Sequence, residues 1–194
     1  CLDMSGYIED GSQRAFFPNG LNYYVYAATL FDNSVDFDAL VQDYFIHAYG
    51  AAGESVLEFL RKIDAHMPQE YLESRHSMNR DRCKYYRPEM EDTLLAVKGI
   101  TEQFQQTLAQ YKNMPMRVQT VAVRLMDKYA EYCRGLAGAL AIKCLGKDAE
   151  AKEAALAFQK EFGKYEVALE RYYDHTVAVM AHLEIFNTKS EFNQ

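Results

Sequence analysis

Apolar side chains return every three or four positions through most of the chain beyond residue 94, a period that is buried only by packing helices side by side. Leu94, Val97, Ile100, Phe104, Leu108 and Tyr111 form one such stripe. After a break at residues 113–115, Val118, Val121, Leu125, Tyr129, Tyr132, Leu136 and Leu140 form a second, which ends near Leu145, Gly146 and Lys147, where glycine suits a left-handed cap. Ala155, Phe158, Phe162, Tyr165, Leu169, Tyr172, Thr176, Val179 and Leu183 predict one continuous last helix. Long helices joined by short breaks lie antiparallel, since one stripe on each is buried in no other way. The expected fold is all-α, an up-down antiparallel helical bundle with a short extended N-terminal segment.

Upstream the signals are shorter. Residues 1–20 show no helical period and carry a Pro-Asn-Gly turn, so they read as a short strand and a loop. Leu21, Tyr24, Val25, Ala28 and Phe31 share a helical face that stops at residues 32–34. A second helix starts from Asp36 or Ser34 as cap, with Phe37, Leu40, Val41, Tyr44, Phe45 and Ala48 as its stripe, and stops at Tyr49 and Gly50. A third spans about residues 51–66, with Val56, Leu57, Phe59, Leu60 and Ile63 inward and Pro68 ending it. Residues 68–87 read as a charged connection containing one short helical turn, and Pro88 suits the first turn of the helix that follows.

Composition narrows the function classes. Of 194 residues, 21 are Lys or Arg and 28 are Asp or Glu, so the net charge of −7 opposes general binding of nucleic acid. No run approaches the roughly 18 apolar residues of a membrane span, and Asp3, Glu9 and Asp10 interrupt any signal peptide. The expectation is a soluble protein, bacterial cytoplasmic or secreted, with no nucleic-acid or membrane partner. Cys1 stands where an initiator Met is absent, which predicts a piece of a longer polypeptide; a lipoprotein reading is disfavoured because Leu2, Asp3, Met4 and Ser5 do not form the usual flexible tether.

Few residues sit at spacings that chemistry requires. Cys133 and Cys144 are three helical turns apart, about 16 Å along the axis, so they neither pair nor share a metal, and free buried thiols are expected. The histidines give no His-Glu-x-x-His motif, and the single Glu73-x-x-His76 falls short of a di-metal bundle site, so no metal and no cofactor is expected. Asp43 and His47 read as an ordinary surface pair at i, i+4. Gly135, Ala137, Gly138, Ala139 and Ala141 predict the close approach of a neighbouring backbone, with a ligand slot as the alternative. Arg80, Arg82, Lys84 and Arg87, beside Tyr85 and Tyr86, form a basic loop suited to an acidic neighbour. Glu9, Asp10 and Arg14 follow the N-terminal strand in a polar loop, the one place near the start where a binding site suits the pattern.

Residues 16–60 carry a Leu-Asn-Tyr-Tyr-Val helix, a Leu-Phe-Asp turn, an Asp-Phe-Asp-Ala-Leu helix start and a Tyr-Gly-Ala-Ala junction. This pattern resembles the end of the catalytic barrel and the start of the helical C-terminal region in bacterial domain-of-unknown-function family 4838, whose members look like glycoside hydrolases; α-glucuronidases are more distantly similar. The resemblance covers about a quarter of the chain. It implies that residues 1–35 are the remnant of a barrel domain and residues 36–194 a helical C-terminal domain. Residues 2–8 would then be the last barrel strand, which places Glu9, Asp10 and Arg14 on the substrate side. Glycoside hydrolysis needs two carboxylates across the scissile bond, and most of the barrel that would hold them is not in this sequence, so no catalytic residue carries over. The implied role is a non-catalytic brace or interaction surface, inactive by itself, whose partners are the missing barrel and, through it, carbohydrate. The alternative is a free-standing helical ligand-binding or protein-interaction module.

Overall fold

The structure is a computed structural model, and it describes residues 14, 17–72 and 85–190. Among these residues the fold is all-α. Helix α1 (Leu21–Phe31) is followed by α2 (Phe37–Tyr49), α3 (Gly53–His66) and the single turn α4 (Gln69–Leu72). The second half holds α5 (Glu91–Leu108), α6 (Arg117–Lys143), α7 (Asp148–Gly163), the short α8 (Glu166–Leu169) and α9 (His175–Asn187). Residues 2–8, expected as a strand, and Cys83 lie outside the described residues.

Local chemistry explains most boundaries. Asp36 caps α2, accepting the Ala39 amide at 2.7 Å. Gly50, at φ +54°, turns the chain out of α2 into a 3-10 turn over Gly50–Ala52 and then α3. Pro88 opens a 3-10 turn, Pro88–Met90, at the head of α5. Gly146, at φ +78°, reverses the chain between α6 and α7.

The long helices pack in sequence order, and residue pairs fix their directions. Gln105 of α5 donates to Asp127 of α6 at 3.0 Å, while Arg134, two turns further along α6, reaches back to Gln105 and Glu102. α5 and α6 are therefore antiparallel. On α7, Phe158 meets Gly135 and Phe162 meets Tyr132, so α7 runs antiparallel to α6. Phe59 of α3 stacks on Phe104 of α5 with ring centroids 3.8 Å apart. Val56, Phe59, Ile63, Leu94, Val97, Phe104, Met126, Leu140 and Phe162 are buried in the shared core, each stabilising the fold by about 1.5–3 kcal/mol.

Two expectations are corrected. The last stripe is not one helix: α7 stops at Gly163, and the chain turns through α8 before Asp174 caps α9 by accepting the Val177 amide at 3.1 Å. The reversal lays α9 back on α7, with His175 against Gly163 and His182 against Gln159. Burial drives it, because a straight helix of that length would run past the end of α6 and leave its stripe in water. The small residues of α6 do not meet a backbone at Gly135. They admit the ring of Phe158, whose Cδ2 lies 2.1 Å from where a Cβ would stand. Cys133 and Cys144 are free and buried, as expected, and burial pushes their thiols up to about 12 and about 11.

Candidate functional site

α1 is built from apolar and aromatic residues, yet none of its eleven is buried. Its substantial packing is against α2 alone. The contact is polar as much as apolar: Tyr24 Oη donates to Asp43 Oδ2, the Tyr24 and Tyr44 rings are 5.6 Å apart, and the Gly20 amide donates to Tyr44 Oη at 2.8 Å. Asp43 also carries the expected pair with His47 at 3.2 Å.

The far end of this hairpin is an apolar surface. Phe31 is 96% exposed, Phe37 61% and Leu30 54%, with Tyr24 one helical repeat back on α1. The turn between the helices is held by Asp32, whose Oδ1 accepts both the amide and the hydroxyl of Ser34. Those two bonds hold the Asp32 carboxyl below its usual range against a small opposing effect of burial. Asp36, the cap of α2, and Asp38, in its first turn, are also exposed. Exposed apolar side chains and exposed carboxylates thus stand side by side in the chain around a turn fixed by its own hydrogen bonds.

The predicted site residues fall in different places. Glu9, Asp10, Arg80, Arg82 and Lys84 lie outside the described residues. Arg14 pairs with Asp174, Nε to Oδ2 at 3.9 Å, on the α9 side of the bundle. Arg87 is bound into the structure rather than held out to solvent: its amide donates to the Cys144 carbonyl at 2.9 Å, its guanidinium pairs with Glu70 at 3.3 Å, and it lies 5.8 Å from the Tyr71 ring centre. The structure therefore does not bring Arg14 and Arg87 into one site.

Sequence reasoning missed two buried polar groups. In one, His182 joins α6, α7 and α9: Tyr132 Oη lies 2.7 Å from its Nδ1, and Gln159 donates to the same nitrogen at 2.7 Å. Burial lowers the His182 pKa to about 4, so the ring is neutral at pH 7, while burial raises the Tyr132 phenol. In the other, fully buried Lys143 pairs with Asp148 at 2.6 Å and donates to the Thr188 carbonyl. Ser190 completes the second group by donating its hydroxyl to Asp148 and its amide to the same carboxylate at 3.1 Å. Burial opposes ionisation of Asp148, but Lys143 and Ser190 outweigh it and hold its pKa below the usual value. Apart from Lys143 and Asp148, which are five positions apart, each group joins residues more than 20 positions apart, which no local spacing announces.

Lys143 and Asp148 neutralise each other, whereas in the first group Gln159 Oε1 is buried with no hydrogen-bond partner among the described residues. Among the described residues no set of three or more His, Cys, Asp or Glu is placed to hold a metal ion. No described helix is long and apolar enough to cross a membrane. Concavities lie between α2 and α3, about 560 Å³, and between α5 and α6, about 340 Å³. No family model, curated protein or solved structure matches the chain.

Proposed function

We propose that the chain is a non-catalytic helical accessory domain whose surface at the α1–α2 turn packs against a neighbouring protein domain. The observation that carries this is the exposure of Phe31, which ends a helix with no buried residue, and of Phe37, which opens the next. Contiguous apolar surface with a polar rim is where proteins associate. The exposed carboxylates of Asp32, Asp36 and Asp38 beside them select a partner face that is both apolar and basic.

The resemblance of residues 16–60 supports the catalytic barrel of a glycoside-hydrolase-like bacterial protein as that partner. In such an assembly residues 1–35 belong to the barrel edge, residues 36–194 brace it, and carbohydrate is handled by the barrel. Glu9, Asp10 and Arg14 are then the positions closest to substrate. The test is a binding titration between this chain and the barrel encoded upstream of it. Saturable binding that is lost in F31S/F37S supports the reading; unchanged binding in that variant, or no barrel upstream, refutes it.

A second reading, a free-standing helical binding module, is favoured by Phe17. Its ring sits among Tyr129, Tyr132, Phe162 and Tyr173, with centroids 5.1–6.2 Å away. A segment that lies on the bundle in this way behaves as part of it rather than as the edge of another domain. Deleting residues 1–16 distinguishes the two: the module keeps its fold and any binding, whereas a barrel-edge role removes the association.

A further inference from the structure

We propose that the cleft between α5 and α6 is a binding site for a small organic carboxylate with an apolar body. Leu108 of α5 and Val123 of α6, both buried, line it from its two sides. At about 340 Å³ it has the volume of a small-ligand pocket. Two cations line it, Lys112 on the connecting loop and Arg124 on α6. Among the described residues neither has a carboxylate partner, although the chain carries an excess of acid.

The one acid in the cleft is already engaged. Asp127 accepts from Gln105 Nε2 at its Oδ1, 3.0 Å, and at its backbone carbonyl, 3.3 Å, so one of its two carboxylate oxygens is taken. The loop that carries Lys112 is also fixed, because the Met114 amide donates to Thr120 Oγ1 at 3.0 Å. A preorganised apolar lining with two unpaired cations at its edge matches a ligand that has one anionic end and one apolar end. Arg124 offers a planar fork and Lys112 a point charge to a carboxylate, while the body of the ligand displaces water from the apolar part of the cleft lining, exposed Ala109 included. A cation would meet Lys112 and Arg124, and a neutral alcohol would leave both without a partner.

The site is independent of the α1–α2 surface, and its test uses the chain as it stands. Octanoate, octan-1-ol and octylamine are titrated into the protein by calorimetry, with the amide spectrum followed in parallel. The proposal predicts that octanoate binds saturably and at least tenfold tighter than octan-1-ol, that octylamine does not bind, and that shifts centre on residues 105–127. K112Q/R124Q, which alters two exposed side chains, is expected to keep its melting temperature and lose at least tenfold in octanoate affinity. Equal binding of octanoate and octan-1-ol, or unchanged octanoate affinity in that variant, overturns it. Saturable binding of a short acidic peptide without binding of octanoate also overturns it, in favour of a protein-docking surface.

Discussion

His182 shows how a single buried base makes this fold sensitive to acid. In the folded chain the ring stays neutral until about pH 4, whereas in the unfolded chain it takes a proton near its ordinary 6.5. Between those values the unfolded state binds more protons, so stability rises with pH across the window and falls as pH drops from 6.5 to 4. The fall attributable to this residue is about 3 kcal/mol. Urea unfolding at pH 7 and pH 4.5 should therefore show a larger loss in the native chain than in His182→Gln, which has no group to protonate there. Equal losses would mean that His182 is not held neutral. Asp148 acts at lower pH with the opposite chemistry: its depressed pKa contributes stability above the ordinary value of 3.8, and that contribution is lost as pH falls through the folded value.

The two glycines of α6 separate packing from propensity. At Gly135 a methyl would meet the Phe158 ring, and Gly135→Ala is expected to destabilise by about 1–3 kcal/mol through overpacking. At Gly138 no atom stands within 4 Å, and Gly138→Ala should stabilise by about 0.8–1 kcal/mol through helix propensity alone. Urea midpoints of the pair read the difference directly; a gain at both sites would show that Phe158 moves aside at no cost. At the head of α2, Asp36→Ala removes the cap on Ala39 and should cost about 1 kcal/mol, with little change in the slope of the unfolding curve. These elements were legible from sequence because their signals are local. The stripes of α5 and α6, the Asp36 cap and the glycine stops at Gly50 and Gly146 all depend on neighbours within a turn or two. The break between α7 and α9 was not, because Tyr165, Leu169 and Tyr172 continue the helical period straight through it. Asp174 was the available stop signal, a capping residue inside an otherwise regular stripe. The partners of His182 and the Thr188 and Ser190 that complete the Lys143 group come from distant parts of the chain, which periodicity does not specify.

For the whole molecule, the same period that predicted α1 misjudged what covers it. Amphipathic spacing says that a face is apolar, not that this chain supplies the opposing surface. Here Phe31 and Phe37 remain in water while the equivalent positions of α3 and α5 are buried. Phe31→Ser with Phe37→Ser should shift the melting temperature by no more than about 2–4 °C, since surface changes of this kind sit within about 0.5 kcal/mol each. A drop of about 10 °C or more would place both rings in the core of the fold instead. Of the basic loop, Arg87 lies among the described residues, and it ties the start of α5 to α4 and to the end of α6.

Hydrogen exchange of α1 in the complete natural gene product, compared with this 194-residue chain, addresses the accessory-domain account most directly. If a neighbouring domain covers the α1–α2 turn, the amides of Leu21–Phe31 exchange rapidly in the isolated chain and are protected at least tenfold in the larger product. Equal exchange of α1 in the two samples, or a natural product that coincides with this chain and leaves Phe31 in solvent, would contradict it.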